Sequence, residues 1–217
     1  MQSPENMLTI PLFPLGTTLF PDGVLGLKIF EVRYLDMTRK CLRNHTPFGV
    51  ITLDQGAEIR VPGQEIEFFE VGTLADIVHF DAVQPSLFMI RCKGGQRFRI
   101  RSRTLQDNGL WCAEVSLIEP DPSMDVPPEL DPSARSLSKI IQTITDQAIS
   151  PSEMPFLEPY QLTDCGWVAN RCAELLDLPA AQKQHLLNME NPRLRLDMIQ
   201  DILEEMGVFK DDSETGI

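Results

Sequence analysis

The 217-residue sequence lacks any apolar run close to the roughly 20 residues that a membrane-spanning helix requires. Its first residues, "MQSPENMLTI", lack a basic region followed by an apolar one, so we expect no secretory signal. From these two absences we expect no membrane partner and a cytoplasmic location.

Closely spaced metal ligands are also lacking. The five cysteines are an odd number without CxxC spacing, and the three histidines do not cluster near them. We therefore expect reduced, structural cysteines, as is usual in the cytoplasm, with no metal and no other cofactor. The cysteines are Cys41, Cys92, Cys112, Cys165 and Cys172.

Sequence motifs for common enzymatic chemistry are missing as well. The stretch nearest to a phosphate loop, "DGVLGLK" at 22–28, has the wrong glycine spacing and no hydroxyl after Lys28. No GxSxG or HExxH pattern occurs. The prediction is a protein without catalytic activity.

Positive charge is scarce, and its distribution is uneven. Residues 1–120 hold 12 Lys/Arg and 14 Asp/Glu, whereas residues 121–217 hold 7 and 18. The net charge is −13, most of it in the second half, which would repel phosphate backbones. Nucleic acid is therefore a disfavoured partner.

The first half is rich in short runs of β-branched and aromatic residues, separated by turn-forming residues. We predict strands near residues 8–13, 24–30, 48–53, 71–80, 86–92, 96–103 and 110–119. One helix, Glu31 to Arg43, interrupts them and brings Tyr34, Met37 or Thr38, and Cys41 onto one side. This pattern predicts a small, closed or partly closed β-barrel.

The composition changes at "EPDPSMDVPPELDPS", residues 119–133, which holds five prolines and five acidic residues. Helical periodicity follows, with Asp131, Thr163 or Asp164, and Asn191 as candidate helix caps and Pro179 opening another helix. We predict a barrel over 1–120, a linker over 121–133, a helical bundle over 134–209 and a disordered tail over 210–217.

Two sets of residues are candidate binding sites. Large apolar residues lie among prolines and glycines in 11–23, where a loop backbone buries side chains with difficulty, and Phe68-Phe69 would point to opposite faces of a strand. We expect part of this surface to be exposed and to suit extended polypeptide. The candidate peptide-binding residues are Phe13, Leu15, Leu19, Phe20, Phe68 and Phe69.

In "RFRIRSR", residues 97–103, every second residue is arginine. A regular strand would place Arg97, Arg99, Arg101 and Arg103 on one face and Phe98 and Ile100 on the other. That face is a candidate anion-binding site. Alternatively, the arginines pair with acidic residues of the helical half.

Three segments resemble the N-terminal, substrate-binding domain of Lon proteases. They are "PLFPLGTTLFPDGVLGLKIFEVRY" (11–34), "GGQRFRI" (94–100) and "LLDLPAAQKQHLLNMENPRLRLDMIQDIL" (175–203), and the likeness extends over about residues 8–206. The resemblance implies an α+β fold, a PUA-like β-barrel followed by a C-terminal α-helical bundle. It also implies a stand-alone form, without the ATPase and protease modules of Lon.

The resemblance implies a non-catalytic module that binds unfolded or extended polypeptides, in protein quality control or as an adaptor beside a protease or chaperone. Two alternatives stay open. A PUA-like barrel could bind RNA through the strand Arg97–Arg103, or a cleft between barrel and bundle could hold an unrecognised active site. The oligomeric state is not indicated by the sequence.

Overall fold

The computed structural model describes residues 7–55, 66–147, 150 and 153–209. The predicted tail, 210–217, lies outside the described residues. The strands are β1 (Met7–Leu15), β2 (Val24–Ile29), β3 (Phe48–Gln55), β4 (Glu67–Gln84), β5 (Leu87–Leu105) and β6 (Trp111–Leu117). The helices are α1 (Val32–Asn44), α2 (Asp131–Asp146), α3 (Cys165–Leu175), α4 (Ala180–Asn188) and α5 (Pro192–Glu205).

The strands form one sheet in the order β2-β5-β4-β3-β1-β6, and β5 pairs with β6 as well. The five strands β5, β4, β3, β1 and β6 therefore close into a barrel-like ring, with β2 added along β5. Only β1 and β3 pair in parallel among these ladders. The predicted α+β fold, a barrel-like sheet followed by helices, is confirmed.

The pair Gly94-Gly95, which in the sequence resembles a turn, lies inside strand β5. Segments 86–92 and 96–103, predicted as separate strands, are parts of the 19-residue β5. Gly94 donates its N–H to the Gly23 carbonyl and accepts from the Asp22 N–H, both at 2.8 Å. A Cβ at position 94 would collide with the Phe20 carbonyl, so glycine permits a close backbone approach here.

Inside the ring of strands, the side chain of Phe98 packs over two glycines. Phe98 has no exposed surface. A Cβ would lie 2.8 Å from its ring at Gly49 and 2.5 Å from it at Gly72. A larger side chain at either glycine would occupy the space of the Phe98 ring. Phe98 therefore requires glycine at both positions. Other residues of this cluster are Ile10, Leu12, Ile51, Phe68, Leu74, Ala113 and Val115.

A second apolar cluster lies on the other face of the sheet, where α1 packs. The Phe13 and Tyr34 rings stack with centroids 4.0 Å apart. Met37, Thr38 and Cys41 are buried along the same side of α1. The predicted buried face of this helix is confirmed, and the 13-residue helix begins one residue after its predicted start.

The chain divides into two compact units. One holds the described residues up to Pro120 together with Pro179–Leu187, and the other holds 121–178 and 188–209. The predicted helical bundle over 134–209 is interrupted, because Pro179–Leu187 falls in the first unit. This segment belongs with the strands: Gln184 donates to the Thr52 hydroxyl at 2.7 Å, and Arg97 donates to the Leu187 carbonyl at 2.7 Å.

Two of the predicted helix caps are confirmed. Asp164 accepts from the Trp167 N–H at the start of α3, and Asn191 accepts from two N–H groups at the start of α5. Asp131 is not a cap, because a short 3₁₀ turn precedes α2 and places this residue inside the helix. Its carboxylate pairs with Arg135 at 2.9 Å instead.

A buried arginine joins three segments of the helical unit. Arg195 of α5 donates to both carboxylate oxygens of Asp121, at 2.5 and 3.2 Å, and to Asn170 of α3 at 3.0 Å. It also donates to the Met189 carbonyl. Bidentate, charge-assisted hydrogen bonds of this kind fix the geometry and stabilise the contact. They connect Asp121, the first residue of the second unit, to α3 and α5.

No helix in the described part of the chain combines the length and apolarity that crossing a membrane would need.

All five cysteines are free thiols. Burial raises the pKa of the Cys92 thiol from about 9 to about 12, and the carboxylate of Asp76 adds to the rise. Burial likewise raises the pKa of Cys172 to about 12, against an opposing effect of Arg171. Because thiolate is the nucleophilic form, these two thiols are inert at neutral pH.

We predict that Phe98→Ala lowers the free energy of unfolding by about 3–5 kcal/mol, because it leaves a cavity above the two glycines. Urea denaturation followed by circular dichroism measures the change. Phe30→Ala is the matched control; this ring is 51% exposed, and its loss should change stability by less than about 0.5 kcal/mol. Equal effects of the two substitutions would contradict the packing described.

We also predict that the protein loses stability above about pH 9, because unfolding lets the Cys92 and Cys172 thiols ionise. The native state keeps these protons, so each thiol contributes a fall of about 1.4 kcal/mol per pH unit between the two pKa values. Urea denaturation of wild type and Cys172→Ala between about pH 8 and about pH 11 measures the difference, since the ordinary thiol pKa lies in this range. Identical pH slopes would contradict this assignment.

Candidate functional site

The apolar residues expected to bind peptide are mostly in the core. Five of them keep at most 8% of their surface exposed: Phe13, Leu15, Leu19, Phe20 and Phe68. The expected exposure of these side chains is therefore wrong. Phe69 alone among the six is half-buried.

Residues 18–20 of the loop 16–23 are buried because the sheet supplies hydrogen bonds to the loop. Thr73 of β4 donates its hydroxyl to the Leu19 carbonyl at 2.6 Å, and the Thr18 and Thr52 hydroxyls lie 2.9 Å apart. With Gly94 holding the other end, the loop can turn Phe20 inward without leaving its polar groups unsatisfied. Sequence reasoning missed these partners because they lie more than 30 residues away.

The predicted row of four arginines is interrupted by a β-bulge. Arg99 pairs with Ser116 of β6, but the register shifts between Ile100 and Ser102, and Arg103 then pairs with Ala113 of the interior cluster. A bulge of one residue moves the following side chains to the opposite face. The prediction of one common face is therefore wrong for Arg103.

Each arginine has a different environment. Arg97 is 3% exposed and donates to the Leu187 carbonyl. Arg99 lies 3.8 Å from Glu70, and Arg101 donates to Ser116 at 2.9 Å. Arg103 stacks over the rings of Phe68 and Trp111, at 4.4 and 5.5 Å from their centroids. The four guanidinium groups therefore differ in exposure and in partner, and Arg97 belongs to the core.

A small cavity of about 290 Å³ lies where β4 and β5 approach the bulge. Its walls combine aromatic rings with charges of both signs, and Ser102 donates to Glu114 at 2.8 Å beside it. The lining residues are Phe68, Phe69, Glu70, Ile100, Arg101, Ser102 and Arg103. It has neither the size nor the polarity of a typical polypeptide groove.

Exposed apolar side chains collect instead at the end of the sheet where β4 turns into β5. Here β4 extends beyond β3, which pairs with it only as far as Ala75. We define the hairpin patch as five residues that are 38–51% exposed: Phe30, Val78, Phe80, Val83 and Met89.

The strand register brings these residues to the same end of the sheet. Met89 of β5 lies between Lys28 of β2 and Asp81 of β4. Phe30 directly follows Ile29, the last residue of β2, which pairs with Phe88. The patch therefore combines apolar side chains with single charges of both signs.

Phe80 pairs with Ile90, so it lies on the opposite face of the hairpin from Met89. The Phe80 ring meets the buried Phe88 ring edge-on, with centroids 5.0 Å apart, and Val78 lies in a register shift between Ile77 and His79. The sequence around these positions, "ADIVHFDAV", shows no strict alternation. That irregularity was the only signal, and it could not show which residues would be exposed.

An unpaired strand edge borders the hairpin patch. In the strand order of the described residues β2 stands last, with β5 as its only strand partner. Gly26 on this strand has open space around it, and Lys28 is exposed. Such an edge offers backbone donors and acceptors to an added strand, while lysine and short length limit uncontrolled pairing.

No group of three or more His, Cys, Asp or Glu residues in the described ranges is arranged to hold a metal ion. The chemistry that this part of the chain offers at the hairpin patch is contact and hydrogen bonding.

Comparison with known proteins agrees with this architecture. The family model of the ATP-dependent protease La (Lon) substrate-binding domain matches residues 9–205. The Lon protease of Anaeromyxobacter dehalogenans is 23% identical over 197 residues, covering 89% of this chain and 23% of that protein. The Lon protease of Aquifex aeolicus is 24% identical over 212 residues, covering 92% and 25%. The chain thus spans about a quarter of the length of these relatives.

Solved structures extend the agreement to the fold. A Lon N-terminal domain protein from Xanthomonas campestris is 31% identical, with a TM-score of 0.69 over 89% of this chain and 98% of that one. The N-terminal domain of a Mycobacterium avium complex Lon protease shares the fold at 16% identity, with a TM-score of 0.56 over 89% and 97%. The chain therefore belongs to the Lon substrate-binding domain family.

Proposed function

We propose that the protein is a non-catalytic module that binds unfolded or extended polypeptides through the hairpin patch. The carrying observation is that five apolar side chains are 38–51% exposed at one end of the sheet, on a domain whose family is described as substrate-binding. Two of them, Phe30 and Met89, lie near each other, since Met89 pairs with Lys28 two residues before Phe30. Folded monomers rarely expose clustered apolar side chains without a binding role. Recognition of this kind fits protein quality control, or an adaptor acting beside a protease or chaperone.

Two kinds of contact would make recognition tolerant of sequence. An extended segment that adds to the β2 edge would bond through its backbone, which every sequence supplies. Its side chains on one face would then meet Phe30 and Met89, whose surfaces are 51% and 43% exposed. Long apolar side chains such as methionine adapt to ligands of different shape.

Charge plays a minor part in this proposal. Lys28 and Asp81 flank Met89 on neighbouring strands, so the local charges offset each other. Because contacts between apolar surfaces are not screened by ions, binding should persist as salt is raised. This separates the proposal from RNA binding, whose affinity falls steeply with salt.

We predict that the double variant Phe30→Ser, Met89→Ser binds a labelled, reduced and carboxymethylated protein at least about tenfold more weakly than wild type. Both side chains are substantially exposed, so the fold should be retained, which circular dichroism checks. Fluorescence anisotropy at physiological salt gives both dissociation constants.

The matched control is Leu105→Ser, which removes an apolar side chain 45% exposed at the other end of the same strand, β5. Its affinity should equal that of wild type. An equal loss in both variants would mean nonspecific apolar contact, and unchanged binding of the double variant would exclude the hairpin patch.

A further inference from the structure

The helical unit contains an apolar groove of about 680 Å³. Helix α2 forms one wall and the segment 154–162 forms the other. The lining residues are Ser138, Ile141, Gln142, Thr145, Met154, Phe156, Leu157, Glu158, Tyr160 and Leu162. This volume is in the range of sites that enclose a ligand.

The helix presents one continuous face to the groove. The residues Ser138, Ile141, Gln142 and Thr145 follow the i, i+3, i+4, i+7 spacing of a single helical face. They span two turns, about 10 Å of helix axis. Two turns of a partner helix, with its own apolar residues at the same spacing, match this length.

The opposite wall is apolar and held in place. Phe156 is 3% exposed and Ile141 across from it is 5% exposed, so the floor is part of the core. The Tyr160 ring lies 6.2 Å from the Trp167 ring of α3. Pro155 and Pro159 restrict the backbone of this wall. A groove built in this way exists before a ligand arrives, which reduces the ordering cost of binding.

Negative charge predominates in the unit that contains this groove. Residues 121–178 and 188–217 hold 18 acidic and 6 basic residues. The arginines of the unit are engaged by acidic partners: Arg135 with Asp131, Arg171 with Glu174, Arg193 with Glu129 and Arg195 with Asp121. Glu158 itself lines the groove, and its exposed neighbour in the same segment is Glu153. The excess carboxylates give this unit a field that attracts cations.

We infer that the groove binds a cationic amphipathic helix, a polypeptide segment with one apolar face flanked by Lys and Arg. The apolar lining matches the apolar face of such a segment, and the acidic surroundings match its flanks. The inference is independent of the hairpin patch, because the two surfaces belong to different compact units.

A designed peptide of about four helical turns, with leucines on one face and lysines elsewhere, is the direct probe. We predict saturable binding to the full chain by fluorescence anisotropy. The same peptide with glutamate in place of lysine should show no binding, and raising salt to about 0.5 M should weaken the lysine peptide several-fold.

Two threonines of α2 form a matched pair of variants. Thr145 lines the groove, whereas Thr143 does not, and both are exposed on the same helix. We predict that Thr145→Trp fills the groove and weakens peptide binding at least about tenfold, while Thr143→Trp leaves it unchanged. Neither substitution removes a buried side chain, and circular dichroism checks the fold.

Three results would overturn this inference: no binding of the lysine peptide, equal binding of the glutamate peptide, or wild-type affinity of Thr145→Trp. The Phe30→Ser, Met89→Ser variant should bind the lysine peptide normally. The Thr145→Trp variant should bind the carboxymethylated protein normally. The two variants thus show which of the two proposals fails.

Discussion

The hydrogen bonding of one long strand to three neighbours organises the barrel-like unit. β5 pairs with β2, β4 and β6, and its bond to β6 closes the ring. Gly94 lets the Phe20 carbonyl approach the middle of this strand, and the bulge between Ile100 and Ser102 reverses the faces of the residues that follow it. Because all these contacts involve β5, a change in its register would displace the core, the loop 16–23 and the arginines together.

The same geometry decides where apolar surface can be exposed. The opening loop gives its side chains to the core because β4 and β5 satisfy its backbone, which leaves those side chains unable to contact a ligand. Exposure arises where β4 continues past the end of β3, beside which the described residues form no further strand. The exposure at this end of the sheet is therefore a consequence of unequal strand lengths, and in the proposed function this surface and the open β2 edge contact extended chains.

The helical unit is organised around a buried charged residue. Arg195 is 1% exposed and gathers Asp121, Asn170 and the Met189 carbonyl, so a residue of the acidic segment 119–133 becomes structural. Losing one partner of such a pair would leave an uncompensated charge, which is strongly destabilising. The remaining carboxylates lie on the surface. Their negative charge would favour a positively charged partner for the groove of this unit.

Local sequence signals determined much of this protein. Strand composition, the apolar face of α1 and the Asp164 and Asn191 caps depend on neighbouring residues, and the Lon-like motifs were evident in the sequence. Burial of Phe20 and the place of Gln184 beside Thr52 depend on contacts 34 or more residues distant. The turn of Arg103 to the inner face depends on the register of β5 against β6. Only the tertiary structure decided these, because a backbone partner, a register shift or a covering helix leaves no mark on the local pattern of apolar and polar residues.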